Sequence, residues 1–163
     1  FLPGSPVVTP GAPGQWDGGW KVASPNLVEL PNGDFALPVY AQPTPHKYPR
    51  GQLSIRTGYA LWPKGRIVAL EAPDRGEFTT LPLAVGGRRM RINAVTQRAG
   101  GILVEVADVP GRSFADCDPI VGDQFRKIVT WKGQEDLGNE VGKPIVLRFR
   151  MQKAKLFGLD FVE

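Results

Sequence analysis

The sequence predicts an all-β protein in which residues 73–163 form one antiparallel, jelly-roll-like β-sandwich. Glycine and proline are frequent, at 20 and 16 of the 163 residues, which favours short strands joined by turns over long helices. One predicted strand, Arg89–Val95, alternates cleanly, with Met90, Ile92 and Ala94 on one face and polar residues on the other. The predicted strands of this region are Glu77–Val85, Arg89–Val95, Ile102–Ala107, Gln124–Lys132, Pro144–Met151 and Lys155–Val162.

Residues 1–72 are predicted to hold an irregular Gly- and Pro-rich loop, a strand at Trp20–Ala23 and two β-hairpins. The first hairpin turns at Pro31-Asn32-Gly33-Asp34, because Asn-Gly between apolar runs tolerates the positive φ of a tight turn. The second hairpin joins Leu53–Trp62 to Arg66–Ala72. A domain boundary is predicted at Pro73-Asp74-Arg75-Gly76, where turn residues cluster.

The first region needs neighbours on both sides of its sheet. Two hairpins make a small sheet, and both of its faces would carry apolar residues, namely Leu37, Val39, Ile55, Tyr59, Ile67 and Leu70. A β-propeller blade is built in this way and packs against further blades. Residues 1–72 are therefore predicted to be a partial propeller blade region.

Composition narrows the range of partners. The net charge of +4 indicates a mildly basic surface, and the aromatic residues are too scattered for nucleic-acid binding. No apolar run approaches the roughly 18 residues that span a membrane, so no membrane partner is expected. The single Cys117 excludes an internal disulfide and a cysteine-based zinc site. Because the chain does not begin with Met, we expect it to be processed or to be part of a longer protein.

The candidate ligand-binding residues are Trp16, Asp17, Trp20 and His46. Asp17 lies in a Gly-rich loop, where Asp ordinarily caps a turn by accepting backbone N–H groups. The alternative is a carboxylate at a binding mouth, with a neighbouring tryptophan as a stacking platform for a sugar. His46 is the only histidine and has no triad partner in the sequence, so it is either a turn residue or a ligand contact.

Three carboxylates lie close together at Asp116, Asp118 and Asp123. Turn and cap chemistry explains them. The alternative is a calcium site held by loop carboxylates, but the spacing does not match an EF-hand loop. Glu77 and Glu105 lie on predicted strands. Glycoside hydrolysis needs paired carboxylates, but the sequence alone does not show that any two lie at the required separation. No metal ion or cofactor is therefore expected.

Several motifs resemble the late blade of five-bladed, glycoside-hydrolase-like β-propellers related to the invertase and arabinanase groups. The motifs of the first region are Phe1-Leu2-Pro3-Gly4, Gly11-Ala12-Pro13-Gly14-Gln15-Trp16-Asp17, Val22-Ala23-Ser24-Pro25, Asn32-Gly33-Asp34-Phe35 and Thr57-Gly58-Tyr59-Ala60-Leu61. The second region resembles the C-terminal module of the same proteins. Its motifs are Gly76-Glu77-Phe78-Thr79-Thr80, Gly100-Gly101-Ile102-Leu103-Val104, Asp116-Cys117-Asp118-Pro119, Thr130-Trp131-Lys132-Gly133 and Gly142-Lys143-Pro144-Ile145. The sequence departs from the blade pattern at Lys64 and Arg66, where the family has Asp and Phe.

The resemblance implies the C-terminal part of a carbohydrate-active protein, with residues 73–163 as a structural accessory module. It implies an oligosaccharide or polysaccharide ligand, a partner in the form of missing blades, a second chain or a homo-oligomer, and an extracytoplasmic location. The family's catalytic carboxylates are spread over several blades, so no catalytic pair is carried over. Only Asp17 and His46 match loop positions near the family's pocket mouth.

Two other function classes remain open: a stand-alone carbohydrate-binding module and a non-catalytic interaction domain. The binding module would use exposed tryptophans among Trp16, Trp20, Trp62 and Trp131. For Trp131 we predict a core position, because it shares a strand face with Val129.

Overall fold

A computed structural model describes residues 8–47, 51, 53–140 and 142–163. The chain divides into two compact units, Phe1–Ile67 and Val68–Glu163. The described residues form antiparallel sheets, which confirms the all-β prediction. Phe1-Leu2-Pro3-Gly4 of the resemblance lies outside the described residues.

The described residues form ten strands in chain order. They are β1 (Trp20–Ala23), β2 (Val28–Glu29), β3 (Phe35–Gln42), β4 (Arg56–Trp62), β5 (Leu70–Thr79), β6 (Leu83–Ala84), β7 (Arg89–Val106), β8 (Asp123–Ile128), β9 (Pro144–Ile145) and β10 (Leu147–Val162).

The sheet of the first unit is centred on β3. Strands β1 and β2 pair with one edge of β3, and β4 pairs with the other. The predicted turn joins β2 to β3: Gly33 has a φ of 84°, and Asn32 Oδ1 accepts the backbone N–H of Asp34 at 3.0 Å. The first predicted hairpin is therefore confirmed, and its register follows from this local turn chemistry.

One face of this sheet is apolar and exposed. The register pairs Val22 with Tyr40, and Tyr59 with Pro38. Val28 and Leu61 pair with Ala36 from its two sides. All of these residues lie on this face. The apolar face consists of Val22, Val28, Tyr40, Tyr59 and Leu61, and Tyr59 and Leu61 are 66% and 64% exposed. Among the described strand positions on this face, none carries a charge. Patches of this kind mark surfaces that bind other molecules.

The second predicted hairpin is wrong. Strand β4 pairs with β3, whereas Leu70, Glu71 and Ala72 begin β5 and pair with Leu156, Lys155 and Ala154 of β10. Residues 73–76 lie inside β5 rather than in a turn between domains, and the two units divide between Ile67 and Val68. Pro73 and Gly76 are tolerated there because β5 is an edge strand of its sheet.

The second unit is built on a four-stranded sheet of order β5-β10-β7-β8, beside a two-stranded sheet of β6 and β9. Two pairs of predicted strands each merge into one strand in the structure, except that Pro144 and Ile145 form the separate strand β9. Strand β7 continues through residues 96–101, and β10 continues through Gln152 and Ala154. The break that the sequence predicts within each of these strands is instead a bulge, and the strands stay paired on both sides of it.

At this bulge the β7–β10 register passes from Gln152 paired with Gly101 to Ala154 paired with Thr96. Lys153 on β10 thus lies opposite four residues of β7. Ala99 and Lys153 adopt positive φ values of 59° and 44°. A Cβ at Gly100 would lie 2.5 Å from the carbonyl oxygen of Gln152, so only glycine fits there. Such a bulge bends the sheet and fixes its register.

The core lies on one face of this sheet. The alternation predicted for β7 is confirmed, since Met90, Ile92 and Ala94 are fully buried. Phe149 of β10 stacks on Phe78 of β5 with ring centroids 4.5 Å apart. Residues outside the strands complete the core, namely Val85, Cys117, Ile120, Val129, Trp131 and Leu137.

Trp131 is 1% exposed, which confirms its predicted core position. Its Nε1 donates a hydrogen bond to the carbonyl oxygen of Val104 at 2.9 Å. The guanidinium of Arg112, itself 8% exposed, lies 5.6 Å from the centre of the Trp131 ring. The indole therefore joins a central strand to the loop that contains Arg112, and it is not a ligand platform.

Candidate functional site

The Gly-rich loop before β1 is held by an ion pair. Lys21 Nζ lies 2.6 Å from Asp17 Oδ2 and also donates to the carbonyl oxygen of Thr9 at 2.6 Å. Gly11 lies so close to the Asp17 carboxylate that a Cβ there would come within 2.2 Å of Oδ1. Asp17 is 13% exposed. Its carboxylate thus orders the loop as a turn residue would, and one of its oxygens is paired with Lys21.

Trp20 and His46 form a stacked pair, with ring centroids 5.1 Å apart and planes inclined by 16°. Gln42, which is paired with Trp20 across the strands, is 2% exposed. Its Nε2 donates to the carbonyl oxygen of Pro45 at 3.0 Å, which fixes the loop that carries His46. His46 is exposed and Trp20 is half-buried. The pair therefore presents one ring to solvent on a fixed support.

Trp16 packs elsewhere. A Cβ at Gly58 of β4 would come within 2.6 Å of Trp16 Cη2, so the indole lies directly against the backbone of that strand. Its side chain is 37% exposed. The glycine at this position provides the space that the ring occupies.

The four candidate residues fall into separate groups. Trp20 stacks on His46, Asp17 pairs with Lys21, and Trp16 packs on Gly58. Trp20 and Lys21 are consecutive on β1, so their side chains point to opposite faces of the sheet. The structure thus brings Trp20 and His46 together. Asp17 instead pairs with Lys21, whose side chain points to the opposite face of the sheet. A role of all four residues in ligand binding stays a prediction.

Two residues that organise this region were missed by sequence analysis, Lys21 and Gln42. Asp17 and Lys21 are four residues apart. This spacing predicts a side-chain contact on a helix but not in a loop. Gln42 carries no local signal, because its role depends on the return of the chain at Pro45.

The Asp116-Cys117-Asp118-Pro119 segment supports a tight turn. Lys132 and Gly133 have φ values of 49° and 78°, and Trp131 and Gln134 exchange backbone hydrogen bonds of 2.9 and 3.0 Å across them. Asp118 Oδ2 accepts the Gly133 N–H at 2.9 Å, and Asp116 Oδ1 pairs with Lys132 Nζ at 2.5 Å. The two carboxylates therefore act as caps of the turn that follows Trp131.

Hydrogen bonds lower the pKa of both capping carboxyls. The pKa of Asp116 falls to about 2, chiefly through the hydrogen bond from Lys132 and then that from Ser113. The pKa of Asp118 is lowered by the Thr130 hydroxyl and then by the Gly133 N–H. A carboxyl whose pKa is lower in the folded state stabilises the fold above its unfolded pKa of 3.8, and the stabilisation is lost as the pH falls through the folded value.

We therefore expect the free energy of unfolding to decrease as the pH falls from about 4 to about 2. Urea denaturation across this range, followed by circular dichroism, measures the effect. The Asp116→Asn variant should be less stable at pH 7 and should lose less stability over the same range. Asp74→Asn, at an exposed position on β5, is the matched control and should behave as the parent chain does. An equal loss in the parent and Asp116→Asn would contradict the assignment.

Glu77 and Glu105 are both paired with arginines of β10. Glu77 Oε1 accepts from Arg150 Nε at 2.8 Å, and Glu105 Oε1 accepts from Arg148 Nη1 at 2.8 Å. The first pair is well exposed and contributes little to stability. These pairings give neither carboxyl group the apolar environment of a general acid.

Within the described ranges, no three His, Cys, Asp or Glu side chains converge in a way that could hold a metal ion. The described residues also contain no helix that is long and apolar enough to cross a membrane. Comparisons of the chain with protein-family models, with curated proteins and with solved structures found no match.

Proposed function

We propose that this chain is the C-terminal part of a glycoside-hydrolase-like, carbohydrate-active protein. The first unit would be a partial propeller blade, and the second a jelly-roll-like sandwich that serves as a structural accessory module. The observation that carries the proposal is the sheet of the first unit. In it β2, β3 and β4 are consecutive antiparallel neighbours, as in a blade, and the apolar face is free to pack against a further sheet.

The stacked Trp20–His46 pair favours a carbohydrate contact at the edge of this blade. Aromatic rings suit the C–H faces of a pyranose, and His46 is exposed on a fixed loop. The same pair is the observation that favours the second candidate, a stand-alone carbohydrate-binding module. In that case the pair binds sugar without any further blade.

Because catalysis requires two carboxyl groups across one bond, we expect this chain alone to hydrolyse no glycoside at a measurable rate. An assay against aryl-glycosides and neutral polysaccharides tests this. Weak sugar binding that is lost in Trp20→Ala but retained in Trp62→Ala would support the assigned contact. Robust turnover that disappears in Asp17→Asn would contradict the proposal and make the chain an enzyme in its own right.

The apolar face should also drive association of the chain. We expect concentration-dependent self-association in sedimentation velocity, because the face presents exposed apolar side chains and no charge. Leu61→Asp places a charge on the apolar face, at a side chain that is 64% exposed, and should shift the chain to a monomer. Leu81→Asp, at a position 83% exposed in the second unit, is the control and should leave the association unchanged. A monomeric parent chain at high concentration would show that this face needs no partner.

A further inference from the structure

The second unit has an open cleft of about 490 Å³ on its four-stranded sheet. Two rows of directly paired residues form its floor, Arg75–Gln152–Gly101 and Glu77–Arg150–Leu103. The residues that alternate with these on β10, Phe149 and Met151, belong to the core. The cleft therefore lies on the face of the sheet that points away from the core.

A rigid wall closes one side of the cleft. Ile120 exchanges two backbone hydrogen bonds of 3.0 Å with Ile102, so its neighbours Pro119 and Val121 stand beside the floor. The bulge at Ala99 and Gly100 closes one end. Backbone pairing sets the wall, and a bulge whose position 100 admits only glycine sets the end. The cleft is therefore preformed.

The polar groups of the cleft are positioned unequally. Arg150 is fixed by Glu77, and its guanidinium lies 4.2 Å from the centre of the Phe114 ring. Among the residues that the structure describes, the side chains of Arg75 and Gln152 have no hydrogen-bond or ion-pair partner. Two arginines and one glutamate line the cleft, which leaves an excess positive charge in it.

We propose that this cleft binds a carboxylated saccharide, such as a uronic acid unit of a polysaccharide. The Arg75 guanidinium binds the carboxylate, since its fork of N–H donors matches two carboxylate oxygens. The Gln152 amide both donates to and accepts from sugar hydroxyls. Leu103, Pro119 and Val121 contact the apolar C–H face of the ring. The volume suits a ligand of one or two sugar units.

The choice of a saccharide rests on the proposed function, whereas the choice of a carboxylate rests on the charge of the cleft alone. The two parts are separable because the cleft shares no residue with the Trp20–His46 pair. Sequence analysis gave no signal for this site. Its floor comes from three strands that are distant in sequence, so no single segment of the sequence contains the site.

Isothermal titration of the full chain with digalacturonate, its dimethyl ester and glutarate tests the inference. We expect digalacturonate to bind, the uncharged ester to bind at least about ten-fold more weakly, and glutarate to show no measurable binding. Arg75→Gln should weaken digalacturonate binding about ten-fold or more. Arg88→Gln removes the same charge at an exposed position outside the cleft and should leave binding unchanged. Gly101→Leu, which points a side chain into the cleft, should abolish it.

Circular dichroism of each variant confirms that the fold is retained. Equal binding by the parent and Arg75→Gln, equal binding of the acid and its ester, or equal binding of glutarate would each overturn the inference. Digalacturonate binding that is lost in Trp20→Ala and retained in Arg75→Gln would overturn it while supporting the proposed function. If none of the three probes binds, the inference is overturned. The proposed function is unaffected by that result, because it is tested separately with neutral sugars.

Discussion

Replacement of Trp131 by alanine is expected to lower the free energy of unfolding of the second unit by about 3–5 kcal/mol. The indole is 1% exposed, so its removal leaves a cavity in the centre of the core. The loss extends to polar groups, because the Val104 carbonyl loses its bond from Nε1 and the buried Arg112 loses the ring beneath its guanidinium. Urea denaturation followed by circular dichroism measures the effect.

Two further variants separate packing from hydrogen bonding at this position. Trp131→Phe keeps an aromatic ring and removes the N–H donor, so it should destabilise less than Trp131→Ala. Phe125→Ala removes an aromatic ring that is 47% exposed on β8 and should cost far less. A Trp131→Ala chain with an unchanged unfolding midpoint would show that this side chain does not lie in the core.

The second unit is expected to fold without the first. A fragment of residues 68–163 retains all the strands of its sheet, with the core cluster entirely inside these bounds. It should give dispersed amide resonances and one cooperative unfolding transition. A fragment of residues 73–163 should also fold but with lower stability, because it lacks the pairing of Leu70, Glu71 and Ala72 with β10.

A third fragment sets the limit of this prediction. Residues 80–163 lack all of β5, which uncovers one edge of β10 and removes the ring that stacks on Phe149. We expect this fragment to give undispersed resonances and to aggregate through the open edge. Undispersed resonances from residues 68–163 as well would mean that the second unit is not an independent domain.

Local signals predicted the parts of the fold that depend on neighbouring residues. The Asn32-Gly33 turn was identified because its backbone conformation and its hydrogen bonds lie within a few residues. The buried face of Arg89–Val95 was identified because alternation follows from the pleat of a strand alone.

The errors arose where the partner of a segment is distant in sequence. Pro73 and Gly76 predict a turn, but pairing with β10 holds Leu70–Thr79 as one strand. Proline is tolerated there because β5 lies at the edge of the sheet. The sequence predicts Arg89–Val95 and Ile102–Ala107 as separate strands, but residues 97–100 form a bulge within β7, which pairs with β10 on both sides of it. For the candidate site, the stacking of Trp20 on His46 depends on the return of the chain through Gln42, which no local pattern indicates.

The position of β10 in the second sheet also determines the order in which the fold can assemble. Its two neighbours, β5 and β7, precede it in the chain and do not pair with each other. During synthesis the edges of β5 and β7 that pair with β10 therefore stay unpaired until Leu147–Val162 has left the ribosome. The four-stranded sheet can form only after that point. Pairing between such distant segments makes folding slow, on the order of milliseconds to seconds. During this time the unpaired strand edges are exposed to aggregation.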